Sequence, residues 1–374
     1  MTVGGRRFDG IDVLRGLSII AVVIHHTNLH MLGDGHSFAH RLPEQLNRIL
    51  FWNGANGVTI FFAISGFLIT TMSLRRWGSL SAVRPAAFYR LRFARIAPLL
   101  LALLIVLSIL DLAHVHGFVI HPERATLPRA LLAALTFHVN WLEAHHGYLP
   151  GNWDVLWSLC IEEVFYFGFP LLCWITRGQS PLYVVWLVFV ALGPFSRTVF
   201  SHIQLWQDYN YLSGMDGIAL GCLAAVVAAS VRIPPRWLVP LQLAGAALML
   251  LVTMARPWVR SLHLYQTGLD VTVLALGTCL VMIAVAQRNR PGGRGTAPLR
   301  WFGRNSYEVY LTHMFLVTWG VQFFVRARIP DGWGPLWYFA ILLLAGLLGW
   351  LVAWCFSEPM NRRLRAGARV VPAD

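Results

Sequence analysis

The sequence predicts an all-α, polytopic membrane protein with about ten transmembrane helices. Three observations lead to this fold class. Hydrophobic residues make up 57% of the 374-residue chain and charged residues only 13%, whereas a soluble domain carries roughly 25% charged residues. Apolar segments of about 18 to 22 residues recur along the chain, and this length suffices to cross a bilayer as a helix. The basic residues are concentrated between these segments.

Two long connections, 32–52 and 114–154, separate predicted spans and are rich in His, Trp, Gly and Pro. Within the second, the apolar segment 128–142 is too short to cross a bilayer and is typical of a re-entrant or interfacial helix. The predicted spans follow one another without a sequence repeat of 20–50 residues. They are 11–31, 53–73, 97–115, 155–176, 181–199, 211–229, 238–255, 267–286, 305–327 and 336–357.

The distribution of arginine predicts how the chain is oriented. All 30 basic residues are arginine, and an even number of spans places both termini on one side. Twenty arginines fall on the side of the termini and nine on the other, with Arg15 inside the first span. Because cytoplasmic loops carry the excess of positive charge, both termini are predicted to be cytoplasmic. The net charge of +13 therefore reflects membrane topology, and no nucleic-acid partner is predicted.

One domain is predicted to cover residues 1–374, with its core at about 8–363 and no fused soluble domain. Two arginines precede the first apolar segment, but Asp12 and Arg15 interrupt it and no A-x-A site follows, so we expect an uncleaved span. The five cysteines lie in predicted spans without a C-x-x-C pair and are expected to be buried. Lone histidine pairs in the loops are weak signals, and no metal site is predicted.

The first span carries ionisable side chains whose spacing places them on one face of a helix. Arg15 and His26 are eleven residues apart, about three helical turns, so they project from one face roughly 16 Å apart along the axis. Asp12 lies within about 40° of the same line. Ionisable groups inside a span usually line a functional cavity. This layout suits a reaction whose two substrates arrive from opposite sides of a membrane.

Further candidate residues lie at the inner ends of the spans. Arg90, Arg92 and Arg95 precede Pro98 in F-Y-R-L-R-F-A-R-I-A-P. Such a cluster either grips phosphate groups through bidentate hydrogen bonds or anchors the chain at lipid headgroups. Ser65-Gly66 in the second span permits close helix approach, and a packing notch is favoured over a functional role there.

Three later spans also contain polar residues. Glu162 and Glu163 point about 100° apart in an apolar helix. One of the two carboxylates is expected to face a cavity, although pairing with an arginine is an alternative. Asp216 lies just inside the sixth predicted span. The ninth carries Tyr307, Tyr310 and His313 at i, i+3 and i+6, with Ser306 or Asn305 as its cap, and Glu358 near the C-terminus is expected to pair with an arginine.

Taken in order, these stretches resemble the acyltransferase 3 family of integral membrane O-acyltransferases. Members of that family acetylate lipopolysaccharide O-antigen, exopolysaccharides, Nod factors and macrolides. The resemblance covers nearly the whole chain, from residue 8 to about 363. It is carried by D-G-I-D-V-L-R-G with Arg15-x10-His26, F-F-A-I-S-G-F-L-I, F-Y-R-L-R-F-A-R-I-A-P, L-W-S-L-C-I-E-E-V-F-Y, N-S-Y-E-V-Y-L-T-H and S-E-P.

The resemblance implies roles for individual residues. The family's Arg-x10-His pair corresponds to Arg15 and His26, rather than to His25. One departure is visible: where the family often has an arginine before the sixth-span aspartate, this chain has Gly214. The departure indicates either a different acceptor or a cation supplied from elsewhere. The cytoplasmic arginine motif of the family corresponds to Arg90, Arg92 and Arg95.

The reaction that this resemblance implies is transfer of an acyl group, most simply acetyl, from cytoplasmic acyl-CoA to a hydroxyl of a saccharide or similar acceptor. His26 would serve as general base or as transient acyl carrier, oriented by Glu162 and assisted by Arg15. The expected location is the bacterial cytoplasmic (inner) membrane. The arginine motif and Ser65 form the predicted cofactor site, and the predicted substrate-binding residues are Tyr310, His313, Asp216 and Glu163.

Two other functions are compatible with intramembrane ionisable residues. A proton-coupled transporter or flippase for a glycan or lipid-linked substrate would use the Asp, Glu and His side chains as a relay. Against it, the spans contain no inverted repeat. A membrane scaffold without catalysis would tolerate neutralisation of Arg15 and His26.

Overall fold

Most residues are helical in the computed structural model, which describes residues 8–36, 42–176, 178–200 and 204–366. No strand occurs in these residues, and the all-α prediction is confirmed. Short 3₁₀ segments precede two helices, and a π-helical segment, Ala353–Ser357, joins the last two. The helices are α1 Asp9–Gly33, α2 Glu44–Phe51, α3 Gly54–Trp77, α4 Pro85–Leu112, α5 Leu127–Leu135, α6 Val139–His146, α7 Gly151–Asp154, α8 Leu156–Thr176, α9 Gln179–Val199, α10 Gln204–Tyr209, α11 Tyr211–Ser230, α12 Pro235–Met254, α13 Arg256–Ser261, α14 Leu269–Arg288, α15 Ala297–Arg304, α16 Ser306–Arg326, α17 Gly334–Val352 and α18 Glu358–Ala366.

Nine helical stretches of the described chain are long and apolar enough to cross a membrane. The predicted ninth span is the exception: α16 has 21 residues but buries Ser306, Glu308, Thr312 and His313. These polar side chains can be accommodated because α16 packs against α1 and α17 rather than standing alone in lipid. The protein is therefore a multi-pass membrane protein. The nine stretches are α1, α2 with α3, α4, α7 with α8, α9, α10 with α11, α12, α14 and α17 with α18.

A close crossing of α3 and α11 confirms the packing notch predicted from Ser65-Gly66. A Cβ on Gly66 would lie 1.9 Å from the carbonyl oxygen of Ile218 on α11, and one on Gly221 would lie 2.0 Å from that of Ala63 on α3. The backbones of α3 and α11 therefore touch, as small residues permit in membrane helices.

The two ends of the bundle differ in composition. At one end, which we call the arginine-rich end, α15 is held against the start of α1 by ion pairs of Arg300 and Arg304 with Asp9 and Asp12. The short helix α18 packs there against α4. Five arginines that entered the topology prediction lie outside the described residues: Arg6, Arg7, Arg41, Arg177 and Arg369.

The opposite end carries the short helices α2, α5, α6 and α7. The segment 128–142, predicted as one interfacial helix, forms α5 and α6 instead. The chain turns between them at Phe137, whose φ of 57° lies in the left-handed region. Residues of these helices are buried against the bundle, among them Ala130, Ala133 and Leu142.

Three smaller expectations can be checked in the described chain. Glu358 pairs with Arg362 at 2.9 Å, as predicted. The N-cap residue of α16 is Asn305 rather than Ser306, and Asn305 makes no side-chain capping bond. The Ser306 hydroxyl accepts a hydrogen bond from Arg15. Four cysteines are buried as expected, whereas Cys355 is exposed in the π-helical segment.

Candidate active site

The deep histidine of α1 meets a histidine of α16. Nδ1 of His26 lies 2.8 Å from Nε2 of His313, and the two rings are stacked with centroids 5.1 Å apart. His313 is fully buried, while His26 is partly exposed. The structure thus brings together a predicted catalytic residue and a predicted substrate-binding residue from positions 287 apart in sequence.

The hydrogen bonds of His313 assign the protons of the pair. Nδ1 of His313 lies 3.1 Å from the carbonyl oxygen of Val309 and 2.8 Å from that of Tyr310. Carbonyl oxygens only accept, so this nitrogen carries the proton and Nε2 of the neutral ring is an acceptor. Nδ1 of His26 therefore donates to His313. It follows that Nε2 of His26 is left with an unprotonated lone pair.

The neighbouring histidine of α1 has a different environment. Nδ1 of His25 donates to the carbonyl oxygen of Phe51 at 2.9 Å, and its ring packs edge-on against Trp52 at 5.7 Å. A Cβ on Gly54 would collide with the His25 ring. His25 therefore holds the end of α2 and the start of α3, which supports the correspondence of the family histidine to His26.

Tyr310 braces the histidine pair from the next turn of α16. Its hydroxyl donates to the carbonyl oxygen of Val155 at 3.0 Å and accepts from the Ser158 hydroxyl at 2.6 Å. Its ring lies 5.9 Å from that of His313. The predicted substrate-binding residue Tyr310 thus uses its hydroxyl to tie α16 to α8.

A second polar cluster joins α3, α4 and α8. The Arg92 guanidinium lies 3.6 Å from the ring centroid of Tyr166, whose hydroxyl donates to Glu162 at 3.2 Å and is hydrogen-bonded to Ser65. Glu162 and Glu163 are both within electrostatic range of Arg92. The arrangement agrees with the alternative that these carboxylates pair with an arginine.

This arrangement corrects the expected orientation of the catalytic imidazole. Glu162 was expected to hold His26, but the ring nitrogen that needs an orienting partner is taken by His313. Glu162 instead bonds to Tyr166. The reason is packing: α16 lies directly against α1, whereas the carboxylates of α8 face α3 and α4.

Arg15 joins α1 to the start of α16 and lies near the second cluster. Its Nε donates to the Ser306 hydroxyl at 3.2 Å, and its Nη1 lies 3.9 Å from Asp12. Glu162 is also within its electrostatic range. Because α1 is one continuous helix, Arg15 and His26 share a face as predicted, roughly 16 Å apart along the axis.

The other predicted phosphate ligands differ in how their charge is balanced. Arg95 makes a two-point ion pair with the buried Glu308, with distances of 2.7 and 3.4 Å, and lies 4.9 Å from the ring centroid of Tyr307. Arg90 is exposed on the surface of α4. Arg95 is therefore partly neutralised by the protein and holds α4 to α16.

Asp216 is enclosed by protein groups. Its carboxylate oxygens lie 2.7 and 3.3 Å from the guanidinium of Arg197 on α9, and the Thr272 hydroxyl donates to it at 2.6 Å. A side chain at Gly214 would collide with Phe62. Of the two explanations for the missing family arginine, the structure supports a cation supplied from elsewhere. The sequence analysis did not predict Arg197 as the partner of Asp216, although its position inside the predicted span 181–199 marks it as a candidate functional or paired residue.

A pair of carboxylates lies beyond the histidines, at the end of the bundle with the short helices. Glu143 of α6 is fully buried, accepts from the backbone N–H of Leu149 at 3.1 Å and lies beside Asp154. Burial and this neighbouring carboxylate raise the pKa of Glu143 well above its usual value. Asp154 accepts from the Tyr209 hydroxyl at 2.8 Å, and the Tyr209 ring stacks on Trp157 at 4.3 Å.

Comparisons with known proteins place these features in a family. The chain matches the family described as an acyltransferase domain over residues 8–355. It is 29% identical over 344 residues to the peptidoglycan O-acetyltransferase OatA of Listeria monocytogenes, covering 82% of this chain and 49% of that protein. It is 25% identical over 355 residues to the O-acetyltransferase OatA of Staphylococcus aureus, covering 87% and 53%, respectively. No solved structure matches it significantly.

The matches cover different shares of the relatives and of this chain. The chain spans about half the length of the curated relatives it matches. The family match, in contrast, runs from the start of α1 to the π-helical segment and includes both histidine-bearing helices. The chain therefore belongs to the acyltransferase 3 family, as its motifs indicated.

Proposed function

We propose that the protein transfers an acetyl group from acetyl-CoA to a hydroxyl group of a saccharide. The observation that carries this proposal is the ordered histidine pair, in which His313 leaves Nε2 of His26 unprotonated. An unprotonated imidazole nitrogen fixed in an apolar bundle is suited to abstract a proton from a hydroxyl. Membership of an acyltransferase family and similarity to two proteins named O-acetyltransferases support the same activity.

The reaction can be written with His26 as the general base. Its Nε2 takes the proton of the acceptor hydroxyl as the hydroxyl oxygen forms a bond to the thioester carbonyl carbon. The carbon–sulfur bond then breaks, and the proton passes from the imidazole to the CoA thiolate. The products are the acetyl ester and CoA with a free thiol. While His26 is cationic, His313 stabilises it by accepting the hydrogen bond that the Nδ1–H group of His26 donates.

The positions of charged groups suggest how the two substrates approach. The donor would enter from the arginine-rich end, which carries Arg15 and Arg92, because guanidinium groups bind phosphates well. The acceptor would enter from the opposite end, where the stacked rings of Trp157 and Tyr209 offer a surface for a sugar ring. The Listeria relative is named for peptidoglycan, so we propose a cell-surface saccharide as acceptor and the bacterial cytoplasmic membrane as location.

The test uses the purified protein in lipid nanodiscs with acetyl-CoA labelled in the acetyl group and saccharide fragments as acceptors. The wild-type protein should transfer label to the acceptor, and His26→Ala should reduce transfer to background. His25→Gln is the matched control, because it alters the adjacent imidazole, whose Nδ1 bonds the carbonyl oxygen of Phe51 and not His313. It should keep most of the activity.

The location of the label distinguishes the possible outcomes. Label on the acceptor alone agrees with His26 as base, whereas label trapped on His26 would assign it as an acyl carrier. Full activity of His26→Ala would remove the histidine from the reaction. Absence of label on any acceptor, together with proton-dependent movement of a glycan across vesicles, would contradict transfer and favour a transporter.

A further inference from the structure

The C-terminal helix α18 brings an additional arginine to the candidate donor site. It packs against α4, and Arg365 on its last turn is within electrostatic range of Arg76, Arg92 and Arg95. Arg76 ends α3, and the other two belong to the arginine motif of α4. Four guanidinium groups from three helices therefore converge at the arginine-rich end of the bundle.

The protein balances only part of this charge. Arg95 pairs with Glu308, and Arg92 lies over Tyr166 near two glutamates. Among the described residues, no carboxylate oxygen lies within 4.0 Å of Arg76 or Arg365. The Nε atoms of Arg92 and Arg365 are buried without a hydrogen-bond partner in that same part of the chain.

The unbalanced positive charge and the unpartnered Nε–H groups both cost free energy when the cluster holds no anion. Like charges close together repel one another, and a buried N–H without an acceptor costs free energy. An anion with several oxygens would offset both costs, because guanidinium groups bind phosphate oxygens in pairs. Lone surface arginines would not need such a partner.

We infer that Arg365 and Arg76 complete a phosphate-binding site with Arg92 and Arg95, and that α18 forms one wall of it. The ligand class is a nucleotide with several phosphate groups, which is the end of acyl-CoA farthest from the thioester. This inference rests on the proposed function for its ligand. It adds residues outside the arginine motif, because the motif alone predicted Arg90, Arg92 and Arg95.

The same helix provides a matched control. Arg363 is exposed on α18 and, in the described chain, makes no ion pair, while Arg362 is paired with Glu358. Substituting Arg363 removes one positive charge from the same helix and leaves the cluster intact. Arg365→Gln and Arg363→Gln therefore differ in position but not in net charge.

The experiment compares two donors in nanodiscs of neutral lipid. Acetyl-CoA carries the nucleotide phosphates, and S-acetylpantetheine carries the same thioester without phosphates. Arg365→Gln should raise the KM for acetyl-CoA about tenfold, as expected for loss of a charge-assisted hydrogen bond. It should leave the KM for S-acetylpantetheine unchanged. Arg363→Gln should change neither value, and Arg365→Lys should fall between wild type and Arg365→Gln.

Other results would overturn the inference. Equal effects of Arg365→Gln on both donors would indicate a structural role, and no effect would exclude Arg365 from the site. If the substitution changed activity only in nanodiscs containing anionic phospholipid, Arg365 would bind lipid headgroups instead.

Calorimetric titration with CoA and with pantetheine separates this inference from the proposed function. Weaker binding of CoA alone to Arg365→Gln would support the site even if no acceptor received label. Unchanged binding would reject it, whether or not transfer was detected.

Discussion

A hydrogen bond between two imidazoles fixes which ring nitrogen of His26 carries the proton. His313 is held by two backbone carbonyl oxygens, and its remaining nitrogen accepts from His26. The role usually given to a carboxylate, that of fixing the tautomer of a catalytic histidine, is thus filled by a neutral ring if His26 is the base, as we propose. A neutral partner suits an apolar bundle, because burying a carboxylate beside the histidine would cost more.

Removing the acceptor should therefore reduce turnover rather than donor binding. His313→Phe leaves the Nδ1 proton of His26 without a partner and frees the ring to adopt the other tautomer. We expect kcat to fall about a hundredfold or more, with the KM for acetyl-CoA unchanged. His313→Gln retains a side-chain oxygen as acceptor and should recover part of the lost rate. Equal losses in both variants, measured by steady-state kinetics over a range of pH, would argue against tautomer control.

Glu143 should make stability depend on pH. Its pKa is raised in the folded protein, so the folded state favours the protonated acid. Below the ordinary glutamate pKa of about 4.3, both states are protonated. As the pH rises above that value, the unfolded chain ionises first, and the free energy of unfolding decreases until the folded-state pKa is passed.

Glu143→Gln should abolish this loss, because glutamine can keep the bond from Leu149 without ionising. The difference in unfolding free energy between variant and wild type should grow by about 1.4 kcal/mol for each unit by which the pKa is raised. Thermal unfolding in detergent from pH 4.5 to pH 8 measures it. Glu123→Gln, which alters an exposed carboxylate of the same long loop, should show no such trend. A parallel trend in both variants would contradict the assignment.

Two close contacts between helices determine how the elements assemble. At the α3–α11 crossing, glycines on both sides let the backbones touch. Between α9 and α11, Arg197 bonds Asp216 and the backbone oxygens of Ser213 and Gly268. The position that the family fills with an arginine has no room for one here, because α3 and α8 approach it through Phe62 and Ile161.

Gly66→Ala should destabilise the protein, because the added methyl group would overlap the backbone of α11. Overpacking of this kind typically costs about 1–3 kcal/mol. Gly168→Ala in α8 is the control, since a Cβ there has no neighbour within 4 Å. Size-exclusion chromatography and thermal unfolding of both variants in detergent measure the difference. Equal stability of the two variants would show that the crossing tolerates a larger separation.

For the whole molecule, the orientation in the membrane remains a prediction. The arginine asymmetry places both termini and the arginine-rich end in the cytoplasm, where acyl-CoA is available. A green fluorescent protein fused to either terminus should fluoresce, and alkaline phosphatase inserted into the loop 114–154 should be active. Fluorescence lost at both termini would reverse the orientation and with it the proposed path of the donor.

The sequence by itself determined the properties that depend on neighbouring residues. The length of the apolar segments predicted the fold class, and helical periodicity placed Arg15 and His26 on one face of α1. Ordered motifs indicated the family, which the match over residues 8–355 confirmed. In each case the deciding residues lie within one helix or one short stretch of the chain.

Only the tertiary structure decided which polar side chains meet. The periodicity of α1 carries no information about α16, so Glu162 was predicted as the orienting partner of His26, whereas the structure places His313 there. The same holds for Arg197 on α9, which pairs with Asp216 on α11, and for Arg365 on α18. Helix periodicity is a local property, whereas these contacts depend on how distant helices pack, and packing is set by shape across the whole bundle.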